Sequence, residues 1–310
     1  MTNEPITGAF FPTGHGGLPH SDLHAACRHI AAAYVEAPFL PELPAIGDAA
    51  LHARAFASEL IAEIGATTTR LRVGVSDAHA WIEEAPVNVH VGERFATVAP
   101  GAYPTAIHLP GPLTALGCAT SAEGVRLWDV PQLRIAFARR TAREATAIAR
   151  CATDAGHLPL VVLDEPCADA LDAANPANLL LLETCVAPLR EAGIAVGVHW
   201  CCKPPIDVLL GVDLDYASID LVRYADVASA RRRSLQRWLA RGRTLVLGIV
   251  DATAPDDAET AANRVAAMGL PRDSAILLAT SCGTSRMSVA RESETAQLLR
   301  DAAGKLKARP

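Results

Sequence analysis

The stretch GIAVGVHWCCKPP, residues 193–205, sets two metal-favouring side chains, His199 and Cys201, on either side of one tryptophan. In an extended chain, residues two apart point to the same face, so the imidazole and the thiol would project together. Zinc favours imidazole nitrogen and thiolate sulfur, and a catalytic zinc keeps three protein ligands with one position open. An H-x-C pair alone equally suits a hydrogen-bonded core histidine beside a packing thiol. Cys282 offers a second sulfur far along the chain, and Asp220 a carboxylate that can act as a displaceable fourth ligand. Cys202 has the opposite parity to Cys201 and reads as packing. Cys167 lies just past an Asp-Glu-Pro sequence and also reads as packing.

These residues can meet only if the fold gathers the ends of distant strands. Eight short β-rich runs recur along the chain: 8–14, 69–76, 105–111, 158–166, 194–200, 216–221, 244–251 and 274–282. Most are separated by alanine-rich stretches with helical spacing, several opened by Asp, Ser or Pro. Strands that are nearly continuous in apolar residues, alternating with helices, indicate a parallel sheet covered on both faces. Eight such units predict a single (β/α)8 TIM barrel over residues 1–310, with an open doubly wound sheet as the other arrangement. No G-x-G-x-x-G follows a strand, so dinucleotide binding lacks its usual mark. Barrel enzymes carry their chemistry at the C-terminal strand ends, and ligand-type residues gather there: Asp164, Glu165, His199, Cys201, Asp220, Asp251 and Cys282.

Composition sets the outer bounds. Half of the 310 residues are apolar and a fifth are charged, enough to bury a large core. The formal charge is −6, and the one tight basic cluster, Ala230–Ser234, reads as a solvated helix face rather than a nucleic-acid surface. The first residues lack the basic and apolar regions of a signal peptide, and no apolar stretch is long enough for a membrane span. The expectation is a cytoplasmic protein with no nucleic-acid or membrane partner. Eight scattered cysteines do not resemble a disulfide scaffold.

Several motifs, taken in order, resemble a known family. GVHWCC, then YASID, then TSCG is similar to the zinc-binding pattern of the catalytic domain of cobalamin-independent methionine synthase. It is closer still to the stand-alone single-barrel relatives of that domain, in the superfamily that also holds uroporphyrinogen decarboxylase. TGHGGLPHSD (13–22) resembles the family's opening motif, LPGPLT (109–114) its G-P-x-T turn, and VVLDEP (161–166) its I-D-E-P strand end. LVLGIVD resembles its penultimate strand.

The resemblance implies zinc held by His199, Cys201 and Cys282, which makes a thiol substrate, homocysteine foremost or another thiol such as a coenzyme M-like sulfonate, a thiolate able to attack a methyl group. It implies that Asp164 meets the substrate's amino group, although a carboxylate there also suits a helix N-cap. Gly17 falls at a substrate-binding position and Glu165 beside Asp164, where it serves the substrate or supports the loop. His20 lines the mouth as a catalytic group or caps the first helix. The chain departs from the pattern at Asp220, where the synthases carry glutamate, and at Gly17, where they carry serine. His15 replaces a usual apolar residue, and Arg223 and Arg286 stand near the ligands as carboxylate clamps or surface ion pairs. The chain begins almost at the first barrel strand, so the half that binds folate is not expected. A methylated corrinoid such as methylcobalamin, free or on a corrinoid protein, is then the expected methyl donor. Uroporphyrinogen-type decarboxylation and a non-catalytic zinc- or corrinoid-protein-binding role are the competing readings.

Overall fold

The computed structural model describes residues 9–44, 53–65, 67–85, 95, 97–98, 103–166, 175–254 and 256–309. Ten strands are present among them: β1 (Ala9–Pro12), β2 (Ile61–Ile64), β3 (Thr69–Leu71), β4 (Thr105–Pro110) and β5 (Ala119–Thr120), followed by β6 (Pro159–Asp164), β7 (Ala195–Trp200), β8 (Tyr216–Asp220), β9 (Thr244–Val250) and β10 (Ile276–Thr280). Seven of them form one curled, all-parallel sheet in the order β1-β10-β9-β8-β7-β6-β4. Its strands are apolar on both faces because helices cover one side and the curled sheet's own interior the other. All seven residues of β9, Thr-Leu-Val-Leu-Gly-Ile-Val, are buried.

The helices start where their sequences provide caps. Asp22 accepts from the Ala25 amide at 2.7 Å ahead of helix Leu23–Ala33, and Ser288 accepts from the Arg291 amide ahead of helix Val289–Ala308. Proline opens helix Pro112–Gly117 and the 24-residue helix Pro131–Asp154, where its missing N–H is no loss. Among the described residues, no helix is long and apolar enough to cross a membrane.

Among the described residues the architecture is barrel-like but is not the closed eight-stranded barrel expected. The run at 69–76 does not join the main sheet. Only Thr69–Leu71 is extended, in a small sheet ordered β2-β3-β5, and helix Val75–Glu84 follows at once. The reason lies in its alternation. Arg70 and Arg72 stand on one face of the run and bond the Ala122 and Ile61 carbonyls, so that face cannot enter a core covered on both sides. Leu71 instead joins a separate cluster with Phe56, Ile82, Leu127 and Phe137.

The gap between β1 and β4 is spanned by the segment 37–42, which lies outside the eight β-rich runs of the sequence. Leu40 N–H donates to the Ala106 carbonyl at 2.8 Å, and Ala106 N–H to the Pro38 carbonyl at 3.0 Å. On its other side, Glu42 N–H donates to Gly16 and Leu18 N–H to Glu42, at 2.8 and 2.9 Å. These are isolated parallel bridges, not a ladder. Pro38 and Pro41 have no N–H to give, which keeps the segment from becoming a full strand.

Candidate metal centre and its surroundings

Because the seven strands are parallel, their C-terminal ends share one edge, and the chemistry-bearing side chains sit on it. Asp164 closes β6, His199 is the penultimate residue of β7, Asp220 closes β8, and Cys282 follows β10. Asp164 and His199 are register partners on adjacent strands, as are His199 and Ser218. Trp200, of opposite parity, points into the core and is fully buried.

His199, Cys201 and Cys282 bring one ligand atom each to within 4.8 Å of one another. The two sulfurs are 3.9 Å apart. Two thiolates on a tetrahedral zinc with bonds of about 2.3 Å would stand roughly 3.8 Å apart. His199 Nδ1 is 2.9 Å from the Ser218 hydroxyl, whose oxygen can accept its proton. Nε2 is then left with its lone pair, and it is buried without a hydrogen-bond partner. Burial, then the neighbouring His15 and His108, hold the His199 imidazole well below the usual histidine range, so it is neutral as a ligand must be. The hydrogen bond shared with Cys282, then burial, push the Cys201 thiol up. The same hydrogen bond lowers the Cys282 thiol, so the pair gives up one proton readily and keeps the other on Cys201. The donor set and its spacing fit zinc.

Asp220 is not part of this group. Its Oδ1 accepts from the Val222 and Arg223 amides at 2.8 and 3.2 Å, capping helix Leu221–Ala230, and its Oδ2 pairs with the Arg223 guanidinium at 3.0 Å. Both oxygens are engaged away from the sulfurs, so the expected fourth ligand is in use as a helix cap. Burial raises its acid above the usual range, against those donors. Arg223 is thereby committed to Asp220, and Arg286 is exposed.

Glu165, expected either at the substrate or as a support for the loop, is fully buried. Its two oxygens accept from the Leu113 and Thr114 amides at 3.0 and 2.6 Å, the first turn of helix Pro112–Gly117. Burial pushes its acid up to about 8 despite these donors. Gly111 must be glycine here, because a Cβ would lie 2.1 Å from Glu165 Oε1. Cys202 packs as its parity implied, buried with its sulfur 3.4 Å from the Glu165 carbonyl. Cys167 lies outside the described residues.

His20 is not brought to the ligand cluster either. Its ring packs on His29 at 5.1 Å, and His29 and Tyr34 both bond the buried Glu292 carboxylate, at 3.1 and 2.8 Å. This network joins helix Leu23–Ala33 to helix Val289–Ala308. Gly17 lies against the loop after β10, its carbonyl accepting from the Thr284 amide at 2.8 Å. A Cβ there would find Ser285 Oγ at 3.6 Å, so a hydroxyl already stands beside the position.

Two histidines around Asp164 were not assigned roles by the sequence. His15 stacks on His199 with ring centroids 3.8 Å apart, and its Nε2–H donates to the Thr280 carbonyl. Burial, then His108, lower its pKa to about 3. His108 Nδ1 stands 2.8 Å from Asp164 Oδ1. Burial alone would lower the His108 imidazole, but the Asp164 charge and hydrogen bond outweigh it and raise it. The available signal was parity: His108 and Pro110 share a face of β4, the same inward face as Ala106.

No protein-family profile matches this chain, and no curated protein matches its sequence. Solved structures do match its fold. A B12-independent methionine synthase from Shewanella sp. W3-18-1, in complex with selenomethionine, aligns over 96% of this chain and 98% of its own, with TM-score 0.62 and 15% identity. A candidate vitamin-B12-independent methionine synthase from Listeria monocytogenes aligns over 80% of this chain and 76% of its own, with TM-score 0.54 and 13% identity. The likeness is one of fold.

Proposed function

We propose that this chain is a zinc-dependent enzyme transferring a methyl or other alkyl group to a thiol. Homocysteine is the acceptor and a methylcorrinoid the donor that the sequence resemblance implies. The observation that carries the reading is the nitrogen–sulfur–sulfur cluster of His199, Cys201 and Cys282 at the C-terminal strand edge. Bound there, zinc would supply the Lewis acidity that keeps a substrate thiol deprotonated at neutral pH. His199, Cys201 and Cys282 would hold it, and Ser218 would fix the His199 ring through Nδ1. His15, neutral and stacked on His199, would shield that ring with an aromatic face. Glu165 anchors the turn that carries Gly111 and helix Pro112–Gly117 beside Asp164. Residues 1–310 would act as one barrel-like domain, in the cytoplasm, on a small-molecule thiol.

The test combines metal analysis with product formation. Purified protein should contain about one zinc per chain and make methionine from homocysteine and methylcobalamin. Zinc-loaded protein that releases no proton with any thiol and consumes no methylcobalamin would end the transferase reading.

A further inference from the structure

One stripe of helix Pro131–Asp154 carries Arg139, Ala142, Arg143, Thr146, Ala147 and Arg150, at the three- and four-residue spacings that keep side chains on one side of a helix. With Pro188 of helix Pro176–Glu191 they line an open groove of about 460 Å³. None of these residues belongs to the metal cluster or to the side chains around it.

Three guanidinium groups and no carboxylate line this groove. Arg139, Arg143 and Arg150 are all exposed, and Arg139 and Arg150 make no hydrogen bond or ion pair among the described residues. Arg143 is held in place by its Nη2, which donates to the Ile82 and Glu83 carbonyls at 3.1 and 3.3 Å in the last turn of helix Val75–Glu84. No ion pair neutralises it. The adjacent carboxylate on the same helix, Glu144, is taken by Arg140 at 2.9 Å. The groove is thus a strip of uncompensated positive charge on a chain whose formal charge is −6. Between the arginines the side chains are small. Thr146 turns its hydroxyl back to the Ala142 carbonyl at 2.8 Å, so its polar atom is satisfied within the helix, and Ala142 and Ala147 have none.

The spacing selects the occupant. Arg139 and Arg150 stand about three turns apart along the axis, roughly 16 Å, so a single phosphate or carboxylate cannot meet all three arginines. A single-stranded nucleic acid takes its grip from aromatic stacking and a basic track along its backbone, and the groove holds no aromatic ring. Small side chains instead let another helix lie close, since the distance between packed helices depends on the side chains at their contact. The steps from Arg139 to Arg143 and from Arg143 to Arg150 are one and two helical turns, and carboxylates at the same steps on a second helix face all three. We propose that this groove docks an acidic amphipathic helix of a partner protein, with its carboxylates on Arg139, Arg143 and Arg150 and its apolar edge on Ala142, Ala147 and Pro188. This docking is independent of the thiol-transfer reading, and neither stands or falls with the other.

Fluorescence anisotropy with the full chain tests it. The probes are a labelled alanine- and leucine-based helical peptide about four turns long, with glutamates one and two turns apart, and its glutamine counterpart. A labelled oligouridylate is the third. The glutamate peptide should bind roughly ten-fold or more tighter than the glutamine peptide at low salt, and the difference should shrink at high salt. The double variant Arg139→Gln/Arg150→Gln, which removes only exposed groups without partners, should abolish that difference. Ala147→Phe, which keeps every charge and raises the floor of the groove, should weaken the glutamate peptide as well. Should the phenylalanine variant fail to fold, the peptide comparison and the double variant still decide. Equal binding of the two peptides, no binding of either, or a preference that survives the double variant would overturn the inference. So would tighter binding of oligouridylate, which would make the groove a nucleic-acid site, or indifference to a folded Ala147→Phe, which would reduce it to surface charge.

Discussion

The sulfurs of Cys201 and Cys282 stand 3.9 Å apart although 81 residues separate them in the chain. Each follows the end of a strand in the same parallel sheet, and two strands, β8 and β9, lie between those that carry them. Only a strongly curled sheet brings such ends together, so the curl itself assembles the cluster. His199 precedes Cys201 by two residues and needs only the pleat to join them.

Metal occupancy should follow this geometry. Cys201→Ser and Cys282→Ser should each strip most of the zinc, and Cys202→Ser should leave it in place, because its sulfur faces the Glu165 carbonyl. Elemental analysis after dialysis against a weak chelator reads the result. Loss of zinc in Cys202→Ser would overturn the assignment of that sulfur to packing.

Asp220 should behave as a helix cap. Asp220→Ala should lower unfolding stability by about 1–2 kcal/mol, since the Val222 and Arg223 amides lose their acceptor. Asp220→Asn keeps an acceptor and should lower it less. Zinc affinity in both variants should fall far less than in Cys201→Ser. Depletion equal to that of the cysteine variants would show that Asp220 swings to the metal.

Acid sensitivity should arise at His15. Its pKa falls from 6.5 to about 3 on folding, so between those values the unfolded chain binds a proton the native chain refuses. Stability must then decrease as pH is lowered through that window. From pH 7 to pH 5 the loss through this one group should be about 2 kcal/mol. Urea unfolding of the metal-free protein at both pH values should show it, and His15→Gln should reduce the difference. An unchanged difference would exclude His15 as the source.

The contact between Gly111 and Glu165 predicts a coupled pair. Gly111→Ala would drive its Cβ into the carboxylate, displacing it from the Leu113 and Thr114 amides. Glu165→Ala leaves the same two amides unpaired. Each change should cost about 1–3 kcal/mol. The double variant should lose clearly less than the sum, because both remove the same capping interaction. Strict additivity in chemical denaturation would contradict the shared contact.

The main sheet was legible where strands are apolar on both faces. The Thr-Leu-Val-Leu-Gly-Ile-Val run of β9 admits little else, and all seven residues are buried. TRLRVGVS misled because its valines and leucine hide an alternating pair of arginines, the mark of a strand with one wet face. The segment 37–42 could not be read at all. Its prolines argue against a strand, and its place between β1 and β4 is set by tertiary pairing alone. In the site, the same-face spacing of His199 and Cys201 carried real information. The capping role of Asp220 did not show, and that of Glu165 stood as one of two alternatives, because a carboxylate at a strand end looks alike whether it faces a ligand or caps the next helix. His108 went unassigned since one histidine in an apolar strand does not reveal which carboxylate it will meet.

The bridging segment between β1 and β4 makes the curled sheet a sheet with a clasp. Its backbone is fastened by one hydrogen bond each at Gly16 and Leu18 and by two at Ala106, instead of a continuous ladder. Such a clasp should breathe by local opening while the rest of the sheet stays shut. Amide exchange at Leu18, Leu40 and Glu42 should be far faster than at Val246 or Leu247 in the middle of β9. The clasp also touches the chemistry, because Gly17 accepts from Thr284, two residues beyond Cys282. Occupancy of the cluster should therefore slow exchange at the clasp, making this seam the place where the protein registers in its motions that its centre is filled.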